Sequence, residues 1–270
     1  MVTPHPAPVK QGILLVVFGS HTPQALSAYQ IIENKVRSAF SGVPVRWAFT
    51  SAAMRKKMWM AGRPIDSMEM VLARMMDEGI THAAVQSLHV IAGKEYHDLT
   101  VNCKLFGRMH GGFRQIEMGL PLLGSGGDIE KTASALLSAL PDERKPDEAV
   151  IFMGHGSAHP ANACYTALMY HLQQADRRIF VGMMSGRPSI DDICDALRKQ
   201  QITSVFLMPC LAVVGNHTLK DMAGDGESSW KSILIKHSFS CKPVLKGLAE
   251  NDAIADIWVN HLKDCAGAFS

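Results

Sequence analysis

Short apolar runs that each lead through a turn into a longer amphipathic segment recur along the chain, and this alternation restricts its fold more than any other feature. The runs are rich in Val, Ile and Phe and show little polar alternation, which is typical of strands buried on both faces. We predict strands at residues 12–18, 45–49, 82–88, 149–153, 178–183 and 204–208. We predict helices at 23–40, 66–78, 128–140, 161–173 and 189–200. Strands that alternate with helices predict an α/β fold with parallel sheets and right-handed crossovers.

The two halves of the chain resemble each other in four places. The matching segments are 15–21 (LVVFGSH) with 152–158 (FMGHGSA), 46–51 with 180–185, 85–93 with 207–215, and 117–120 with 245–248. The matches keep the same order along the chain, which indicates an internal repeat. Three pairs of residues at strand ends become equivalent in this alignment: Phe18 with His155, Ser51 with Ser185, and Glu95 with His217.

The repeat predicts two similar α/β domains, each a parallel sheet flanked by helices. We expect an N-terminal tail at 1–10, a first domain at 11–141 and a second at 142–270. The junction is the polar, proline-bearing segment 141–147. Because ligands of parallel sheets bind beyond the carboxyl ends of the strands, we predict an active-site cleft between the two domains.

Composition excludes several classes of partner. The 270 residues carry 27 Lys and Arg against 25 Asp and Glu, a net charge of +2, which is too small for a protein that wraps nucleic acid. No run of about 18 apolar residues predicts a membrane span, and the first ten residues do not resemble a signal peptide. The six cysteines form no C-x-x-C pair, which favours free thiols in a reducing compartment. We therefore expect a cytoplasmic protein.

Two histidines follow strand ends in glycine-bearing loops. His155 lies between two glycines in 153–159 (MGHGSAH), and His217 follows Gly215 and Asn216. Glycines at a strand end free a side chain from packing, so these rings are candidates for function. Together with Glu95 they make a two-histidine, one-carboxylate set that suits a divalent transition metal. The alternative is chance, because a chain with twelve histidines brings some of them together without function.

Basic residues follow the second strand and its equivalent in the other half. Arg55, Lys56 and Lys57 form a run, and Arg187 follows the matching strand. Guanidinium groups bind carboxylates through paired hydrogen bonds, so we predict a ligand with several carboxylates. The chain has no G-x-x-x-x-G-K-[ST] motif for ATP, no G-x-G-x-x-G dinucleotide motif and no G-x-S-x-G nucleophile elbow.

Five segments resemble the anaerobic, ATP-independent sirohydrochlorin cobaltochelatases of the CbiK type, which are relatives of ferrochelatase. They are 14–20 (LLVVFGS), 48–55 (AFTSAAMR), 86–98 (QSLHVIAGKEYHD), 153–157 (MGHGS) and 221–226 (DMAGDG). The resemblance implies two α/β domains around a cleft and insertion of Co²⁺ into the tetrapyrrole sirohydrochlorin during cobalamin biosynthesis. The expected tetrapyrrole partner is sirohydrochlorin or a precorrin-2-like compound. It also implies that the protein self-associates.

Carried over residue by residue, the resemblance places the metal-binding and catalytic groups on His155, His217 and Glu95. Arg55, Ser185 and Arg187 are the expected substrate-binding residues. The chain departs from the family pattern at Ser185, where an acidic residue commonly precedes Gly-x-Pro.

Two other functions stay open. One is a ferrochelatase that inserts Fe²⁺ for siroheme, since histidine and carboxylate ligands accept both metals. The other is a non-catalytic carrier of a tetrapyrrole or a metal, consistent with the missing acid at Ser185. His89 and His97 receive no role from the sequence: each is a hydrogen-bonded loop histidine or faces a subunit neighbour or a haem.

Overall fold

The computed structural model describes residues 8–267, and its first half forms a four-stranded parallel sheet. Its elements are β1 (Gln11–Val17), α1 (Pro23–Ala39), β2 (Val45–Phe49), α2 (Ala52–Met60), α3 (Met68–Asp77), β3 (His82–Ser87), α4 (Lys94–Arg108), β4 (Gln115–Gly119) and α5 (Gly126–Leu137). The strand order is β2-β1-β3-β4. Residues 1–7 of the predicted tail and residues 268–270 of the predicted second domain lie outside the described part.

The second half repeats this architecture. Its elements are β5 (Ala149–Gly156), α6 (Ala163–Ala175), β6 (Ile179–Ser185), α7 (Ile190–Lys199), β7 (Ser204–Cys210), α8 (Trp230–Lys236), β8 (Ser240–Pro243) and α9 (Asp252–Gly267). The strand order β6-β5-β7-β8 matches that of the first sheet. The six predicted strands and five predicted helices are confirmed, with ends that differ by at most three residues.

The strand register confirms the repeat at the level of single residues. Leu15 of β1 lies beside Trp47 of β2, and its equivalent Phe152 lies beside Val181 of β6. The glycines that end the two central strands also match. Gly19 has a φ of +116° and its equivalent Gly156 a φ of +71°, a left-handed conformation that glycine adopts without strain.

The fourth predicted match, of 117–120 with 245–248, is wrong. Gly119 closes β4, whereas β8 ends at Pro243 and Gly247 lies beyond it, at the start of a 3-10 turn. The two glycines therefore occupy different structural positions. The match arose because both segments contain the dipeptide Gly-Leu, although one is a strand end and the other a loop.

Each sheet is covered on both faces, and the two sheets share one apolar core. The outer faces are covered by α3 and α4 in the first half and by α7 and α8 in the second. The inner faces belong to a single cluster that contains both Leu15 and Phe152. Burial of this much apolar surface is the main favourable contribution to folding.

Helix α7 shows how the sequence specifies its elements. Ser189 caps its N-terminus by accepting from the backbone N–H of Asp192, whose carboxylate accepts from the backbone N–H of Ser189 in return. Such a capping box satisfies donors that the helix leaves unpaired. Its apolar residues recur at helical spacing and are buried: Ile190, Ile193, Cys194 and Leu197.

The last helix crosses from one half to the other. Although α9 lies within the predicted second domain, it packs against α1, β3 and β4 of the first half, and α5 of the first half packs against α6 of the second. Trp258 and Leu262 of α9 are fully buried in the shared core. The junction 141–147 thus separates the two sheets along the chain, but the helices on the inner faces are exchanged between the halves.

No helix among residues 8–267 combines the length and the apolar character needed to cross a membrane.

Candidate active site

A cavity of about 710 Å³ lies where the carboxyl ends of the strands of both sheets meet. The loops that follow β1, β3, β5 and β7 contribute to its wall, so both halves build it. The predicted cleft between two parallel sheets is therefore present. Its volume lies within the usual range for small-molecule sites.

His155 is placed in the cavity wall by the glycine that follows it. The left-handed Gly156 turns the chain, and a Cβ there would lie 2.0 Å from the carbonyl oxygen of Ser185. His155 Nδ1 lies 3.0 Å from the carbonyl oxygen of Gly156. Because a carbonyl only accepts, Nδ1 carries the hydrogen and Nε2 has a free lone pair. That arrangement is the tautomer that a metal requires.

His217 reaches the same place from another strand end. It begins a π-helical turn at His217–Met222, and its Nδ1 lies 2.7 Å from Oδ2 of Asp221, one turn further on. The carboxylate accepts from Nδ1, so Nε2 again has a free lone pair. The ring centroids of His155 and His217 are 4.9 Å apart with the planes at 83°. Folding thus brings two metal-competent imidazoles into contact.

Glu95 enters the cavity wall from the first half, in the first turn of α4. His89 Nε2 lies 2.9 Å from Glu95 Oε2, while His89 Nδ1 lies 2.6 Å from the hydroxyl of Ser87. The hydrogen bond from His89 is the main cause that lowers the pKa of Glu95, and the nearby His155 lowers it further. The carboxylate is therefore ionised at neutral pH.

The predicted set of three ligands is only partly assembled. Within the part of the chain that the structure describes, no three His, Cys, Asp or Glu side chains converge closely enough to hold one ion. His155 and His217 are in contact, whereas the partner of Glu95 is His89. The role of Glu95 as a ligand stays a prediction.

The two arginines predicted to bind substrate do not line the cavity. Arg55 Nη1 donates to the backbone carbonyls of Phe49 and Thr50, at 2.6 and 2.8 Å, and so fastens α2 to the end of β2. Arg187 pairs with Asp192, and its side chain is 80% exposed. Each guanidinium pairs with acceptors close to it in sequence, and its role in substrate binding stays a prediction.

Ser185 does line the cavity, at the end of β6 beside Gly156. Its equivalent Ser51 also lines the cavity and caps α2 by accepting from the backbone N–H of Met54. The departure from the family pattern therefore lies in the wall of the site, where a hydroxyl replaces a carboxylate.

Sequence analysis missed three features of the site. Asp221 has no predicted role, although its spacing of four from His217 is the spacing of side chains on one helix face. Phe18, the equivalent of His155, gives the first half an apolar surface and is 44% exposed in the cavity wall. His21 also lines the cavity, and no motif in the sequence indicated it.

The two histidines left without a role are now placed. His89 belongs to the site as the partner of Glu95. The His97 ring centroid lies 5.0 Å from that of His159, so this pair joins α4 of the first half to the loop after β5 in the second.

Comparison with known proteins identifies the family of the chain. Residues 11–267 match the family model described as cobalt chelatase (CbiK). The chain is 45% identical over 259 residues to the sirohydrochlorin cobaltochelatase CbiKC of Nitratidesulfovibrio vulgaris, covering 96% of this chain and 92% of that protein. It is 34% identical over 263 residues to the sirohydrochlorin cobaltochelatase of Salmonella typhimurium, covering 94% of this chain and 96% of that protein.

Solved structures confirm the fold. SirB from Bacillus subtilis with Fe³⁺ has a TM-score of 0.67 at 17% identity, covering 97% of this chain and 98% of that one. CbiX, described as the terminal enzyme of siroheme biosynthesis in denitrifying bacteria, has a TM-score of 0.58 at 16% identity, covering 94% and 98%. With a match to the family model over nearly all of its length, the chain belongs to the CbiK family of cobalt chelatases.

Proposed function

We propose that the protein inserts Co²⁺ into sirohydrochlorin without ATP, in anaerobic cobalamin biosynthesis. The observation that carries this proposal is the contact between His155 and His217, two imidazoles whose Nε2 atoms are both free for a metal. They lie in the wall of a cavity built by both halves, in a chain of the cobalt chelatase family. The relatives named above at 45% and 34% identity carry cobaltochelatase names, which favours cobalt.

The reaction exchanges one cation for two protons. Sirohydrochlorin gives up two pyrrole N–H protons, and its four nitrogens then bind Co²⁺, so the charge is balanced. Before insertion, Nε2 of His155 and Nε2 of His217 hold the ion. The Gly156 carbonyl and the Asp221 carboxylate each accept from the opposite ring nitrogen, which fixes the tautomer and the orientation of the rings.

The same imidazoles then receive the protons. When the cation passes to the macrocycle, the two Nε2 lone pairs become free, and neutral histidine accepts protons readily near neutral pH. Glu95, held ionised by His89, provides negative charge on the opposite wall. This charge stabilises the cation during transfer and the imidazolium that forms at His155 afterwards.

Insertion of iron for siroheme and passive carriage are the two other functions, and one experiment separates all three. The purified protein is mixed anaerobically with sirohydrochlorin and either Co²⁺ or Fe²⁺, and insertion is followed by absorption. We expect Co²⁺ insertion to accelerate over the protein-free rate. A faster reaction with Fe²⁺ would indicate the siroheme function, and binding without acceleration would indicate a carrier.

His155→Ala tests the mechanism itself. We expect it to abolish cobalt insertion while the protein melts normally, because the ring is exposed and contributes no core packing. His110→Ala, which removes an exposed histidine outside the cavity wall, is the matched control and should keep wild-type activity. Normal turnover of His155→Ala would remove this residue from the mechanism.

We also propose that the enzyme works in the cytoplasm and self-associates there. The six cysteines are free, which agrees with a reducing compartment. Sedimentation velocity of the purified protein measures its oligomeric state, and a monomer at all concentrations would contradict self-association.

A further inference from the structure

The cavity wall has a basic corner that metal insertion does not use. Nζ of Lys57 lies 3.1 Å from Nε2 of His21, and both residues line the cavity. His21 belongs to the loop after β1, and Lys57 lies in α2. We refer to these two residues as the basic corner.

Local structure aims both residues at the cavity. The left-handed Gly19 turns the chain after β1, so that His21 follows in the wall. On α2, Ala53, Met54 and Lys57 all line the cavity. Residues three and four apart share a helix face, so Lys57 lies on the inward face of α2.

The basic corner keeps free donors and has no carboxylate partner, whereas the nearby cations have acceptors of their own. Lys94, also in the wall, pairs with Asp98 at 2.6 Å, and Arg55 donates to backbone carbonyls. Among residues 8–267, no carboxylate forms an ion pair with Lys57. Its contact is His21, whose Nε2 accepts one of the three ammonium hydrogens. Two hydrogens of Lys57 and the Nδ1–H of His21 remain for a ligand.

The corner also lies next to the loop that carries His217. Thr22, beside His21, donates from Oγ1 to the backbone carbonyl of Val214 at 2.5 Å, which joins the loop after β1 to the loop after β7. A group bound at the corner is therefore fixed relative to the metal-binding pair.

We propose that Lys57 and His21 form a subsite for a peripheral carboxylate of the tetrapyrrole. The inference rests on the proposed function and assigns an anchoring role to residues of the cavity wall, to which Arg55 and Arg187 do not belong. A carboxylate bound by the ammonium and the imidazole N–H sets the rotation of the macrocycle above His155 and His217. Esterified or uncharged tetrapyrroles lack this interaction and bind less well.

The test is Lys57→Gln, with Lys56→Gln as the matched control. Lys56 is the next residue on α2, is exposed and does not line the cavity. We expect Lys57→Gln to raise the KM for sirohydrochlorin roughly tenfold, the low end for a hydrogen bond to a charged group, because Lys57 is exposed. The KM for Co²⁺ and kcat should stay near wild type, Lys57→Arg should restore most of the affinity, and Lys56→Gln should change none of these values.

A binding measurement separates failure of the subsite from failure of the proposed function. Equilibrium binding of metal-free sirohydrochlorin, followed by quenching of its fluorescence, needs no catalysis. We expect weaker binding to Lys57→Gln, and no difference between wild type and variant when the carboxylates are methyl esters. Equal losses in Lys56→Gln and Lys57→Gln, or a lower kcat with unchanged sirohydrochlorin affinity, would overturn the subsite.

Discussion

Replacing Asp221 by Asn is the sharpest test of the proposed metal-binding role of His217. Asp221 accepts from Nδ1 of His217 at 2.7 Å and so leaves Nε2 unprotonated. Asn keeps the shape of Asp but removes the negative charge, and its amide can present either an oxygen or an NH₂ group to the ring. The variant therefore weakens both the preferred tautomer and the basicity of Nε2 without opening a hole in the structure.

The expected loss of Co²⁺ affinity follows from the solvent exposure of His217 and Asp221. Loss of a partner behind a metal-binding histidine typically costs about 10- to 100-fold in metal affinity. The side chains of His217 and Asp221 are 41% and 51% exposed, so water competes for the same hydrogen bond. We therefore expect the low end, about tenfold, which corresponds to roughly 1.4 kcal/mol.

The assay measures Co²⁺ binding in the absence of tetrapyrrole, by competition with a chromophoric chelator. Asp221→Asn should raise the Kd for Co²⁺ about tenfold, and the KM for Co²⁺ should rise with it. The KM for sirohydrochlorin should not change, because Asp221 lies behind His217 and is not part of the cavity wall.

Asp225→Asn is the matched control. Asp225 lies four residues further along the same segment and pairs with Lys231 instead of a histidine. We expect wild-type Co²⁺ affinity for this variant. If Asp221→Asn binds Co²⁺ within twofold of wild type while His217→Ala loses binding, the ring does not need its carboxylate and the argument fails.

Three further predictions concern stability and are read from thermal or denaturant unfolding. Gly156→Ala should lower the free energy of unfolding by more than about 2 kcal/mol, because it combines a positive φ with a Cβ placed 2.0 Å from the Ser185 carbonyl oxygen. Gly111→Ala, which has a positive φ but open space around the Cβ, should lower it by about 1 kcal/mol. Equal costs would contradict the clash. Hydrogen bonds from Lys145, Lys242 and Ser204 lower the pKa of Glu148 to about 2, so Glu148→Gln should be less stable than wild type at pH 7. That difference should shrink as the pH falls below about 4 towards 2, and a constant difference would refute it. Trp258→Ala should lower the free energy of unfolding by about 3–5 kcal/mol, because α9 belongs to the shared core. A loss below about 1 kcal/mol would refute the placement of α9 in that core.

The sequence predicts the sheets well because their signal is local. Five of the six predicted strands are largely buried, and they appear in the sequence as short apolar runs. β8 lacks such a run, because it has only four residues and two of them, Ser240 and Lys242, are exposed. Matching residue identities alone therefore paired Gly247 with Gly119, although Gly247 lies in a loop and Gly119 in a strand.

The crossing of α9 is not visible in the sequence for a different reason. An amphipathic pattern shows that a helix has an apolar face, but not which sheet that face covers. The chain after β8 can return to its own sheet or continue to the other one. The choice depends on the space left between the sheets, which is a property of the assembled fold.

The candidate site also contains residues that the sequence predicts and residues that it does not. His155 and His217 are predictable because glycine loops at strand ends mark them, and the repeat places the two ends at one cleft. The position of the two arginines outside the cavity wall is not predictable in this way, because charge alone does not show which acceptor is nearest. Arg187, for example, pairs with Asp192, which lies five residues away.

The two halves of the repeat contribute different side chains to the two walls of the cavity. At equivalent positions the second half has His155 and His217 where the first half has Phe18 and Glu95, so one wall carries the proposed metal ligands and the other an apolar surface with a negative charge. Because α5 and α9 are exchanged between the halves, the walls cannot separate without breaking the shared core. In the proposed mechanism, the divergence of the halves supplies different groups on the two walls, and the exchanged helices keep the distance between those walls.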